Sequence, residues 1–150
     1  VSRLTELGVP VVGHIGLTPQ RMKQIGGGYV QGRGDGSSAT VEALVETAES
    51  LEAAGAFSII LEAVTEETGR RVTDAVDVPT IGIGAGRYVD GQVLVVTDVL
   101  GLSEESYRLS KQYADLNSVV HASVQSYVDE VRSGAFPAAE HVFDPVEEQD

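Results

Sequence analysis

Residues 9–15 (VPVVGHI), 57–61 (FSIIL), 78–83 (VPTIGI) and 93–96 (VLVV) are short apolar runs in which hydrophobic residues do not alternate regularly with polar ones. A strand with one wet face alternates, whereas a strand buried on both faces does not. Segments of helical period lie between the runs. Val41, Leu44, Val45, Ala48 and Leu51 recur at three- and four-residue spacing up to Gly55, behind Ser38 as the expected N-cap. Residues 65–75 form a second helical segment behind Thr65, with Thr68 expected on its surface. Buried strands alternating with helices predict an α/β fold on a parallel sheet.

Beyond these units the pattern is looser. The stretch GGGYVQGRGDG (residues 26–36) predicts an irregular loop after a short helical turn at 19–24. Only about eight residues join the third and fourth apolar runs, fewer than the ~10–12 of a helical crossover. Either that connection lacks a full helix or the fourth strand lies elsewhere. Residues 103–114 and 117–132 read as helices, the second with Val120, Val124, Tyr127, Val128 and Val131 in one stripe and Gly134 as its stop. The acidic residues 144–150 read as a flexible tail. No segment repeats at a fixed period, so a solenoid is excluded. An open doubly wound sheet and part of a (β/α)8 barrel both satisfy this order.

The charge narrows the partners. A formal net charge of −13 on 150 residues, with Lys23 and Lys111 as the only lysines, repels phosphate backbones and argues against nucleic acid. Self-repulsion on that scale is relieved by salt, so a salt-adapted protein is expected. No apolar run is long enough for a membrane span, and no secretory signal pattern is visible. The absence of cysteine suits a reducing cytoplasm.

Parallel sheets carry their sites at the carboxyl ends of the strands. There the sequence places His14, Glu62 and the turn Gly82–Gly84–Gly86. A carboxylate emerging straight from SIIL, partly withdrawn from water, is suited to accept a proton. An ordinary solvent-facing glutamate and a hydrogen-bonded structural histidine are equally compatible with the residues alone. GIGAG lacks the helix start and acidic partner of a dinucleotide fingerprint and reads more simply as a tight turn. Arg33-Gly34-Asp35 is a chance tripeptide. His121 reads as a surface or interface residue and His141 has no evident partner; Asp90 and Asp98 offer oxygen atoms but no metal-ligand spacing.

Taken together and in this order, GHIGLTPQ, GGYVQGR, LEAAGA, ILE, IGIGAG, DGQVLVVTD and SGAFPAAEH resemble ketopantoate hydroxymethyltransferase (3-methyl-2-oxobutanoate hydroxymethyltransferase) across residues 9–143. The resemblance implies a (β/α)8 TIM barrel of the phosphoenolpyruvate-utilising type, of which residues 1–143 would supply about strands 5–8. It implies transfer of a hydroxymethyl group from 5,10-methylenetetrahydrofolate to 3-methyl-2-oxobutanoate, in the pathway to pantothenate and coenzyme A. By the same resemblance Glu62 is the proton acceptor, His14 contacts substrate, and Mg2+ holds the oxo acid. Large homo-oligomers are implied, a decamer being one expected size.

The sequence departs from the family pattern in two places. Ala63-Val64-Thr65 follows Glu62 where a cysteine and often a proline would be expected. The family's first four βα units, with the acidic metal ligands and a substrate-binding lysine, have no counterpart in these residues. No metal ligand can therefore be assigned in this chain, and an incomplete form of the enzyme is expected. Another carbon–carbon lyase of the phosphoenolpyruvate-utilising type and a non-catalytic half-barrel subunit remain the alternatives.

Overall fold

The computed structural model describes residues 1–19, 30–34, 39–103 and 107–143. They separate into two compact units, one of the described residues up to 95 with 107–110 and one of residues 96–103 with 111–143.

In the first unit a short helix α1 (Ser2–Glu6) precedes β1 (Val12–Gly16), α2 (Val41–Ala53), β2 (Ser58–Glu62), α3 (Glu66–Ala75), β3 (Thr80–Ile83) and β4 (Gly91–Gln92). The four strands form one parallel sheet in the order β1-β2-β3-β4. This is the α/β arrangement that the unbroken apolar runs predict. Helix α1 went unforeseen. It is tied down by Thr5, whose hydroxyl donates to the Ala54 carbonyl at 2.8 Å.

The core lies between the sheet and the two long helices. Ile15, Ile59 and Leu61 meet Leu44 and Ala48 of α2, Val72 of α3, and Val64 and Ala85 from the loops after β2 and β3. Helix α2 begins at Thr40, whose side chain accepts the Ala43 N–H at 3.2 Å. The expected cap, Ser38, lies outside the described residues, and the helix starts too late to use it. Thr65 caps α3 as expected, accepting the Thr68 N–H. Thr68 itself corrects the sequence reading, because it is fully buried rather than on the surface. Its hydroxyl is satisfied by Thr65 Oγ1 at 2.7 Å, which removes the cost that polarity would otherwise impose on burial.

Two further expectations fail here. The fourth strand is residues 91–92, not 93–96, and it follows β3 through a connection with no helix. A short apolar run does not distinguish strand from helix by period, and the VLVV run gives way at Val96 to a helix, α4 (Val96–Leu100). The turn into β4 is set by Asp90, whose carboxylate accepts both the N–H and the hydroxyl of buried Thr80 at 2.8 and 3.0 Å. The helix expected over 103–114 is absent across the described residues 107–114. Residues 107–110 instead belong to the first unit, where Leu109 packs over Gly84. A tertiary contact has overridden the local period.

The second unit holds α4 and the long helix α5 (Leu116–Ser133). Asp115 caps α5 by accepting from Ser118, and that hydrogen bond holds its carboxyl below the usual range. Gly134 ends the helix in the left-handed conformation, at φ 77°. The predicted stripe is present, with Val120, Val124, Tyr127 and Val131 all exposed.

Candidate active site

Side chains alternate across the sheet, and the register decides which ones meet. His14 pairs with Ile60, and Gly16 with Glu62. His14 and Glu62 therefore share a face as diagonal neighbours at the carboxyl ends of β1 and β2. Ile60, Ile81 and Ile83 extend that face across the sheet. Core residues Ile15, Ile59 and Leu61 point the other way, toward the helices.

The imidazole Nε2 of His14 stands 3.1 Å from Glu62 Oε2, with the two side chains 30% and 23% exposed. The separation is that of an ion pair, but the atoms do not line up as a hydrogen bond. Nε2 is itself buried and has no hydrogen-bond partner among the described residues. The pair is thus in contact without a hydrogen bond between the two groups. A buried, unpaired ring nitrogen costs free energy in a purely structural histidine.

The backbone around Glu62 is fixed on every side. Its carbonyl accepts the Leu17 N–H at 2.8 Å, the Ala63 N–H donates to Ile83 at 2.9 Å, and the Val64 N–H donates to Gly84 at 3.1 Å. Ala63 adopts φ 47°, the one left-handed non-glycine residue among those described. That conformation costs an L-residue about 1–2 kcal/mol, and it falls immediately after the candidate proton acceptor. The sequence marks Ala63 only as a departure from the family pattern and gives no sign of this conformation. Alanine at a strand end gives no warning of a left-handed turn, which glycine or asparagine would have signalled.

The third expected feature, the GIGAG turn, is structural. A Cβ at Gly86 would stand 2.6 Å from Glu66 Cγ, so this glycine permits the loop to approach the start of α3. Beside it Arg87 binds Glu66 at 2.8 Å and holds that carboxyl below its ordinary range.

The remaining polar candidates are not gathered at this site. Asp90 is engaged with Thr80, and Asp98 accepts from the Ser103 hydroxyl at 2.7 Å. His121 is exposed on α5. His141 has a partner after all, its Nδ1 accepting the Ala138 N–H at 3.1 Å while its ring lies against Phe136. Arg33 and Gly34 are exposed, and Asp35 lies outside the described residues.

Fold and site together define an α/β protein that presents a histidine–carboxylate pair from adjacent parallel strand ends. A family profile described as Ketopantoate hydroxymethyltransferase matches residues 1–139, and the chain belongs to that family. Proteins named 3-methyl-2-oxobutanoate hydroxymethyltransferase are similar to it in several organisms. The one from Halobacterium salinarum is 52% identical over 138 residues, covering 92% of this chain and 49% of the relative. Those from Syntrophus aciditrophicus and Pyrobaculum islandicum are 48% and 50% identical, over 95% and 94% of this chain and 52% and 53% of their own lengths. The chain thus spans about half the length of the curated relatives it matches.

Proposed function

We propose that this chain carries the proton-abstracting part of a 3-methyl-2-oxobutanoate hydroxymethyltransferase site. The observation that carries the reading is the contact of His14 with Glu62, which leaves a buried Nε2 unpartnered at the open end of the sheet. Family membership supplies the chemistry. Glu62 takes the C3 proton of 3-methyl-2-oxobutanoate, and the C–H electron pair passes into an enolate on the keto oxygen. Water adds to the one-carbon unit of 5,10-methylenetetrahydrofolate, and its two C–N bonds break to release tetrahydrofolate and formaldehyde. The enolate carbon bonds to the formaldehyde carbon, the C=O electron pair passes to its oxygen, and that oxygen takes up a proton to become the hydroxyl. His14 donates from Nε2 to an oxygen of the substrate or of the incoming hydroxymethyl group.

The residues in hand do not fit a divalent cation unaided. Among those described, no three histidine, aspartate or glutamate side chains come together, and His14 with Glu62 makes only two. Magnesium, if held, takes its ligands from outside these residues, and no step proposed here runs through it.

In this reading residues 1–143 contribute about strands 5–8 of a (β/α)8 barrel, and the face bearing Ile60, Glu62 and Ile83 lines its interior. The other strands come from outside the sequence described. The assembly is a cytoplasmic homo-oligomer. Isotope exchange tests the chemistry: in deuterated buffer containing magnesium, the protein in its native assembly is expected to wash out the C3 proton without folate. It should form the new carbon–carbon bond only when 5,10-methylenetetrahydrofolate is added. Retention of the proton would overturn the reading, and bond cleavage without folate would favour a lyase.

The acidic balance supports adaptation to salt. Raising potassium chloride from about 0.1 M to about 1 M shortens the screening length from about 10 Å to about 3 Å. With a net charge of −13, the thermal midpoint is expected to rise over that range. A flat or falling midpoint, followed by circular dichroism, would argue against salt adaptation.

A further inference from the structure

The glycine-rich motif VQGR, residues 30–33, is not used by the chemistry above, yet two of its residues are buried against the strand end that bears Glu62. Gln31 is 2% exposed. Its N–H donates to the carbonyl of Ala63 at 2.8 Å, its carbonyl accepts the Thr65 N–H at 3.1 Å, and it bridges Val64 in parallel fashion. Its side-chain oxygen accepts the Ala39 N–H at 3.0 Å. Gly32 extends the attachment, donating to the Ala39 carbonyl at 3.0 Å. A Cβ there would fall 2.1 Å from the Thr68 hydroxyl, so only glycine lets this backbone lie so close to α3.

Two of these bonds, both from the Gln31 backbone, grip the turn at residues 63–65, and the other two anchor residues 31 and 32 on Ala39. Ala63 is the left-handed residue directly after Glu62, and its carbonyl is held by Gln31 alone among the bonds described. An unfavourable backbone conformation persists only when its surroundings over-determine it. We infer that Gln31 is a positioning residue for Glu62: its side chain, anchored on Ala39, seats the backbone N–H that latches the left-handed turn at Ala63, and so holds the carboxylate against His14 rather than free to swing toward solvent. This rests on the reading of Glu62 as proton acceptor. It goes beyond that reading in assigning a role to an amide buried behind the strand end.

The test compares variants in the native assembly, by C3 proton exchange of 3-methyl-2-oxobutanoate and by thermal melts. Gln31→Met keeps the volume and removes the acceptor. It is expected to lower kcat for exchange by about tenfold or more per folded site, with KM little changed, as a misaligned base would. Adding Ala63→Gly, which adopts the left-handed turn without penalty, should recover most of that loss. If Gln31→Met does not fold, Ala39→Pro deletes the same donor from an exposed position and should lower kcat in the same direction.

Exchange per folded site equal to wild type in either single variant overturns the inference while leaving the role of Glu62 standing. So does a loss confined to KM, or a kcat loss that Ala63→Gly does not relieve. Failure of the wild-type protein to exchange removes both, and is read separately from the variants.

Discussion

Glu62→Gln is expected to reduce C3 proton exchange by about 10²–10⁴-fold, the usual contribution of a positioned general base. The substitution is close to isosteric and the side chain is partly exposed, so the sheet should tolerate it. Loss of a proton acceptor acts on the transition state, so kcat and kcat/KM should fall together while KM moves little. An amide also keeps a contact to His14, which separates loss of basicity from collapse of the pair. Single-turnover exchange, followed by the proton signal of the oxo acid, measures this directly. Exchange at the wild-type rate would show that another group takes the proton. A rise in KM with kcat unchanged would make Glu62 a binding residue instead.

The pairing that gives this prediction its force was only half visible in the sequence. His14 and Glu62 each sat at the end of an apolar run, which marked them as strand-end residues. That they touch depends on register: a shift of one residue would have turned one of the two to the helix side. The strands themselves were legible because residues buried on both faces carry apolar side chains without alternation. β4 was not legible, because two residues carry no period, and what precedes it is a turn built by Asp90 on Thr80. Thr68 was misjudged for a related reason. Its burial depends on a hydroxyl partner three residues away and on a glycine 36 positions earlier, neither of which appears in local polarity. Gln31 shares that property, since a buried amide looks like any polar loop residue until its partners are known. Backbone-mediated positioning is thus the part of the site that composition and spacing convey least.

Gly16→Ala is expected to carry the largest stability effect, and it bears on the site as well. Gly16 closes β1 at φ 89°, and a Cβ there would stand 2.2 Å from the Glu62 carbonyl oxygen and 2.7 Å from Val64 Cγ1. The backbone conformation alone costs alanine about 1–2 kcal/mol. Forcing a methyl into filled space adds about 1–3 kcal/mol. Together these predict a loss of about 2–5 kcal/mol in unfolding free energy. The carbonyl that must yield is the one that accepts the Leu17 N–H, so relief of the clash displaces the residue bearing the candidate base. Exchange should fall even under conditions where the variant is fully folded. Gly34→Ala is the control, because Gly34 is also left-handed, at φ 72°, but among the described residues nothing lies within 4 Å of the added carbon. It should cost only the conformational part, about 1–2 kcal/mol, and leave exchange unchanged. Urea denaturation of the two variants beside wild type separates the contributions. Equal losses would mean that the close approach of β1 to the Glu62 peptide does not exist in solution, and the geometry assigned to the pair would fail with it.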